Sequence, residues 1–211
     1  MNESPIHRAE IVYIVDDDPE VLKAVSRQLR TNGWRVEPFE SAEAFLENRK
    51  RQDMACLVLD VSLPGLDGIE LQRQLLETRE AIPIVFLTGH GDIPMSVRAI
   101  QAGASNFLTK PVTAADLCAA IRRAMDEGAK ARCARAEADR LGDRLARLTS
   151  REREIFQAIA AGKLNKQIAG ELGIVEQTVK FHRARIIERM QAHTSAELMR
   201  MAAKLAIGDD T

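Results

Sequence analysis

Between residues 11 and 125 short apolar runs alternate with amphipathic stretches, and this alternation limits the folds open to the chain more than any other feature. The runs are IVYIV (11–15), WRVEPF (34–39), ACLVL (55–59), IPIVFL (82–87) and SNFL (105–108). Three of them are continuously apolar and rich in Val, Ile and Leu, as expected for strands buried on both faces of a parallel sheet. Helical patterns fill the gaps at 19–32, 41–49, 67–78, 93–102 and 113–125. Asn32-Gly33 ends the first and Gly103 follows the fourth, while Thr113 and Asp116 have the spacing of a capping box at the last. Five strands alternating with five helices predict a doubly wound α/β domain over residues 1–125.

After residue 125 the pattern changes. DEGAKARCARAEADRLGDRLARL is rich in Ala and Arg, mixes both signs and contains no strand-like run. It predicts a solvated helical linker over 126–147, with Gly128 and Gly142 as candidate bends. The alternative is a coiled coil, but apolar a and d positions are not sustained. Residues 148–211 then show four short helical patterns, at 150–161, 164–172, 176–190 and 194–205, and predict an all-α domain. Thr149 with Glu152 and Thr194 with Glu197 repeat the capping-box spacing.

Charge is divided unevenly. Residues 1–125 hold 14 Lys and Arg against 18 Asp and Glu, whereas 149–211 hold 10 against 8. The asymmetry is mild and only hints at a nucleic-acid partner for the C-terminal part. Three widely spaced cysteines, Cys56, Cys118 and Cys133, form no CxxC pair, which suits a reducing compartment rather than a disulfide or zinc framework. No stretch approaches 18 apolar residues and no basic segment precedes an apolar run, so neither a membrane span nor a signal peptide is expected. These features imply a cytoplasmic protein.

The first apolar run ends abruptly in Asp16, Asp17 and Asp18. Ligands of an open α/β sheet bind at the carboxyl ends of its strands. Asp60 follows CLVL, Thr88 follows IVFL and Lys110 follows NFLT, so the other strands deliver polar groups to the same rim. Adjacent carboxylates are tolerable where they hold a hard divalent cation such as Mg²⁺. One of them can then attack a phosphoryl group, with metal and ammonium neutralising the developing charge. Asp18 before Pro19 reads instead as the cap of the first helix.

The pattern DD (16–17), D-x-x-x-P (Asp60, Pro64), Thr88 and Lys110-Pro111 closely resembles receiver domains of bacterial two-component response regulators. TGHGDIPM (88–95) resembles the FixJ/NarL branch, close to StyR-like regulators, and the resemblance spans essentially the whole chain. It implies a CheY-like receiver of five parallel strands. It also implies that Asp60 is phosphorylated by a sensor histidine kinase, and that Asp17, Asp60 and the Ser62 backbone carbonyl bind Mg²⁺ with Asp16 helping through water. Lys110 would pair with the phosphoryl oxygens, Thr88 would donate its hydroxyl to them, and Phe107, which alone reads as core, would be the switch aromatic. The Lys110–Pro111 peptide is often cis in such domains. Leu63 stands where many members have Met, and Ser62 and His90 occupy variable positions associated with dephosphorylation rate.

Residues 164–190 predict a helix, a turn at Gly173 and a longer second helix, which is a helix-turn-helix. On a helical wheel Val179, Ile186 and Met190 share one face. Gln177, Lys180, Phe181, Ala184 and Glu188 fall opposite, with Thr178 and Arg185 on the flank. A large Phe among basic and amide groups suits contact with a thymine methyl, while Lys180 or Arg185 could read guanine or grip phosphate. LTSREREIFQAIAAGKLNKQIAGELGI…TVKFHR resembles the LuxR/NarL-type output domain. That match implies that Asn165, Lys166 and Thr178 hold the DNA backbone and that Lys180, Phe181 and Ala184 face bases. Arg183 is a further candidate contact. Val175 replaces the usual Ser cap, a loss of about 1 kcal/mol.

The expected protein is a phosphorylation-switched transcription factor, not an enzyme. It would dimerise on phosphorylation and bind double-stranded DNA, with RNA polymerase as a further possible partner. An aspartyl phosphatase of the haloacid-dehalogenase type would need an acidic residue two positions after Asp60, where Ser62 stands. A receiver that only mediates dimerisation, and a helical domain used only for protein contacts, remain alternatives.

Overall fold

The computed structural model describes residues 10–50, 54–78, 82–89 and 93–208, and His90 lies outside them. The chain forms two units, Met1–Arg132 and Cys133–Thr211.

The first unit alternates strands and helices as β1 (Ile11–Val15), α1 (Pro19–Thr31), β2 (Arg35–Phe39), α2 (Ala42–Asn48), β3 (Ala55–Leu59), α3 (Gly68–Glu77), β4 (Ile84–Thr88), α4 (Ile93–Gln101), β5 (Asn106–Thr109) and α5 (Ala114–Ala146). All five strands run parallel in the order β2-β1-β3-β4-β5. The three continuously apolar runs are β1, β3 and β4, the central strands, buried at every residue. The mixed runs became the edges, and Pro38, which has no N–H for a ladder, sits in edge strand β2.

Side chains alternate between the sheet's faces and build two cores. Tyr13, Leu57, Leu59 and Phe86 face one side with Phe45, Leu71 and Leu75. Val12, Ile14, Val58 and Val85 face the other, covered by Leu22, Leu29, Leu117 and Ile121. Cys56 and Cys118 are buried in this second core while Cys133 is exposed. Burial pushes the Cys56 thiol up to about 12, so it behaves as an inert apolar group. Gln72 is a buried polar side chain on α3, and its amide donates to the carbonyls of Ala99 and Ala102 at 3.2 and 3.0 Å. It thereby ties α3 to the carboxyl end of α4.

One difference from the sequence reading concerns residues 113–147. They form no short helix followed by a separate linker, because α5 continues to Ala146. Neither Gly128 nor Gly142 interrupts it. Gly128 is small for another reason, since a Cβ there would lie 3.0 Å from Pro83 Cγ. Nor is the segment solvated throughout, because Leu141 and Leu148 are buried and Leu145 is partly so. Ala and Arg are strong helix formers, which explains the continuity.

The second unit holds α6 (Ser150–Ala160), α7 (Asn165–Leu172), α8 (Glu176–Met190) and α9 (Ser195–Gly208) around Ile155, Phe156, Ile159, Ile168 and Leu198. Val179, Ile186 and Met190 are the fully buried face of α8, as the wheel predicts. Gly173 closes α7 with φ +64°, a left-handed conformation that favours glycine. Val175 begins α8 with no side-chain cap bond.

Buried Glu152 connects the ends of two helices. The Thr149 N–H and hydroxyl donate to its Oε2 at 2.9 and 3.0 Å, and Arg189 of α8 donates to the same oxygen at 2.6 Å. Burial disfavours the charged carboxylate, but the Thr149 bonds and the Arg189 guanidinium outweigh it and hold its pKa below the ordinary 4.5. A depressed acid pKa stabilises above the unfolded value and loses that effect as pH falls through the folded one. Glu152→Gln should therefore lower this unit's stability at neutral pH by roughly 1 kcal/mol, after allowing for solvent around Arg189. Thermal unfolding followed by circular dichroism should show the difference from wild type shrinking as pH falls below 4.5.

Candidate functional site

The strand order places the topological switch between β1 and β3, where the chain turns in opposite directions and leaves a crevice at the carboxyl edge. Val15 and Leu59 are partners in the ladder, so Asp16 and Asp60, the next residue of each strand, stand side by side. Backbone bonds hold the rim. Asp16 N–H donates to Phe39 O at 3.2 Å, Asp60 N–H to Val15 O at 2.9 Å and Lys110 N–H to Thr88 O at 2.8 Å.

Asp16 and Asp60 are buried, and Asp17 is exposed at the mouth. Each offers a carboxylate oxygen, and the three oxygens lie within 4.8 Å of one another. Lys110 donates to Asp16 Oδ2 and, at 3.1 Å, to Asp60 Oδ2. Burial pushes the Asp16 pKa up, against the opposing pull of its bonds from Lys110 and the Asp18 N–H, and the Asp60 charge pushes the same way as burial. For Lys110 burial works against the charge, but the hydrogen bond and charge of Asp16, joined by Asp60, outweigh it and raise its pKa. The two directions are consistent, since one ammonium is shared by two carboxylates.

Thr88 is buried at the end of β4, and Phe107 is half-buried on β5 with its ring 6.2 Å from Phe86. Ser62 is exposed in the loop after β3 and Leu63 is buried. The Lys110–Pro111 peptide is cis. Asp18 accepts from the Glu20 N–H at 2.8 Å and caps α1, which separates it from the other two aspartates of its run.

The loop after Asp60 carries two constraints that the sequence reading missed. Val61 N–H donates to Asp60 Oδ1 at 2.7 Å, which turns Oδ2 towards Lys110. Gly68 N–H bonds Val61 O at 3.0 Å, and a Cβ on Gly68 would sit 2.2 Å from the Asp60 carbonyl oxygen. No side chain fits there. Further along, Glu43 of α2 accepts from the Leu66 N–H at 3.1 Å and braces the same loop.

In the second unit, Gln177, Lys180, Phe181, Ala184, Arg185 and Glu188 are exposed on α8, and Thr178 is half-buried. Phe181 is 54% exposed, unusual for so large an apolar side chain. Lys166 is exposed on α7. Asn165, expected to hold the DNA backbone, and Arg183, a further candidate contact, are paired with each other: Arg183 donates to Asn165 Oδ1 at 2.6 Å and to Ser195 Oγ at 3.2 Å. Their spacing, 18 residues apart on separate helices, carries no local signal that could have revealed the pair.

A switch-point cluster of carboxylates with a lysine, followed by a helix-turn-helix unit, defines a class: a signal-receiving domain that governs a DNA-binding one. Comparison with known proteins makes the assignment specific. Residues 12–122 match the response regulator receiver domain, and residues 146–202 match the luxR family of bacterial regulatory proteins. Response regulator protein TodT of Pseudomonas putida is 43% identical over 198 residues, covering 94% of this chain and 87% of that protein. Transcriptional regulatory protein FixJ of Bradyrhizobium diazoefficiens is 36% identical, covering 94% and 97%. The solved structure of response regulator StyR, at 45% identity, has a TM-score of 0.75 and covers 92% of this chain and 98% of that one. The chain belongs to the two-component response regulators with a LuxR-type DNA-binding domain, a family of transcription regulators and not of enzymes.

Receiver domains bind Mg²⁺ at an acidic pocket, and the cluster of Asp16, Asp17 and Asp60 is such a pocket. Its all-oxygen donor set suits a hard cation. Among the described residues no helix is long and apolar enough to cross a membrane.

Gly68→Ala should displace the loop that carries Asp60 and lower the stability of the first unit by about 1–3 kcal/mol. Trp34 is the single tryptophan and packs against the second core, so its fluorescence in a urea titration reports this unit. An unchanged midpoint would show that the loop absorbs the extra methyl.

Proposed function

We propose that Asp60 is the phosphoryl acceptor of this regulator and that its phosphorylation by a sensor histidine kinase switches assembly and sequence-specific DNA binding. The observation that carries the reading is the shared ammonium: Lys110 sits between Asp16 and Asp60 at the sheet's switch point. In the transfer, an oxygen of Asp60 bonds to phosphorus as the phosphorus–nitrogen bond to the kinase histidine breaks. The Val61 N–H holds Oδ1 and Lys110 bonds Oδ2, and Oδ2 is the oxygen that attacks as Lys110 gives up that bond. Lys110 then moves its bond from Asp60 to the new phosphoryl oxygens.

Asp17, Asp60 and the Ser62 carbonyl would hold Mg²⁺, with Asp16 acting through water. The ion supplies positive charge against the phosphoryl oxygens. Thr88 donates its hydroxyl to the phosphoryl group, and Phe107 follows it inward from its half-buried position. These movements shift a population between two states of the α4–β5–α5 face. Val97 and Ile100, each 46% exposed on α4, supply apolar surface for a homodimer.

Two output domains then engage two half-sites of double-stranded DNA. Gln177, Phe181, Ala184 and Arg185 face the major groove, and Lys166, Thr178 and Lys180 grip the backbone. Asn165 and Arg183 contribute by fixing α8 against α7 and α9. RNA polymerase is the onward partner, and the regulator works in the cytoplasm.

Incubation with acetyl phosphate and Mg²⁺, followed by intact mass spectrometry, should show one phosphoryl group on wild type and none on Asp60→Ala. Thr88→Ala should take up the group yet lose the accompanying gain in DNA affinity. Uptake that persists in Asp60→Ala would place the acceptor elsewhere.

A further inference from the structure

The recognition helix α8 carries four basic side chains, Lys180, Arg183, Arg185 and Arg189, and the structure divides them by what they touch. Arg189 is turned inward to Glu152 and to Arg147 O. Arg183 is held by Asn165 and Ser195. The Lys180 ammonium lies 3.5 Å from Glu176 one turn earlier. Arg185 meets no carboxylate among the described residues. Its guanidinium instead stacks over the Phe181 ring, 4.4 Å from the centroid.

This stack has an orientation. Side chains of a helix lean towards its amino end, so Arg185 reaches back over Phe181 in the direction that helix-turn-helix proteins insert. The His182 ring meets the Phe181 ring in a T-shaped contact, with centroids 5.8 Å apart. The exposed ring and the planar fork lying on it thus form one contiguous surface.

We propose that Phe181 and Arg185 act as one stacked reading unit that specifies a thymine next to a guanine, with Lys180 serving the phosphates. The inference rests on the DNA-binding reading above and deepens it. Bases repeat about every 3.4 Å along a strand. A guanidinium 4.4 Å from the ring is about one base step away from it, and so can address the pair next to the one that Phe181 touches. Phe181 offers an apolar face to the thymine C5-methyl, and Arg185 offers two parallel N–H donors to guanine O6 and N7. Lys180, a flexible point charge, lacks that fork. The pair is thus specified by geometry, whereas the ammonium supplies affinity without sequence.

The test is selection from a randomised duplex library with the full-length protein, Mg²⁺ and beryllium fluoride, followed by affinity measurements on the selected duplex. The selected motif should contain adjacent thymine and guanine. Replacing that thymine by deoxyuridine, which lacks only the methyl, should weaken wild type several-fold and leave Phe181→Ala unaffected. Arg185→Lys, which keeps the charge, should lose guanine discrimination by about tenfold or more. Lys180→Ala should weaken all sequences alike and flatten the salt dependence. A selected motif that survives intact in both Arg185→Lys and Phe181→Ala overturns the pair while DNA binding stands. A library that wild type leaves unenriched overturns the DNA-binding reading and the pair with it.

Discussion

The ammonium of Lys110, shared between two carboxylates buried side by side, is the interaction on which the receiver's design depends. Asp16 and Asp60 occupy adjacent positions at the ends of central strands, so the sheet itself forces like charges together. Without a cation that arrangement is costly, because buried charge needs a partner. Lys110 supplies one from β5 at the far side of the rim, and the pKa of Asp16 is nevertheless raised by burial and by its neighbour. In the proposed switch, a phosphoryl group and Mg²⁺ would draw that cation away from the two carboxylates. A population shift needs that kind of bistability, in which a ligand biases states that are close in energy.

The surrounding structure fixes what the chemistry must not move. Gly68 lets α3 approach the Asp60 backbone so closely that no Cβ fits. Gln72, just over one turn further along α3, bonds the carbonyls at the end of α4. Contacts thus run from the Asp60 backbone through α3 to α4, the helix that carries the proposed dimer surface. In the output unit Glu152 and Arg189 join the start of α6 to the end of α8, while Arg183 joins α8 to Asn165 and Ser195. These bonds make α8 a fixed platform, and the exposed Phe181 and Arg185 gain their definition from it.

Much of this was legible in the sequence, and for identifiable reasons. Continuous apolar runs separate central from edge strands, because only strands covered on both faces can be apolar throughout. Asp16, Asp17, Asp60 and Lys110 were found because polar residues directly after such runs must gather at one edge. Val179, Ile186 and Met190 followed from helical periodicity. Features that depend on contacts between distant segments escaped. Gly68 and Gln72 look ordinary in sequence, and the pairing of Arg183 with Asn165, 18 residues away, leaves no local signal. The continuity of α5 was missed because Gly128 suggested a bend, whereas its lack of a side chain serves packing against Pro83.

In the proposed mechanism the state of the Asp60 site governs assembly of the whole molecule. Sedimentation velocity of wild type and Asp60→Ala, with and without Mg²⁺ and the phosphoryl mimic beryllium fluoride, tests it most directly. The expected result is a monomer that becomes a dimer only in wild type and only when both additions are present. A mass that stays constant under every condition, or that doubles equally in Asp60→Ala, would contradict it.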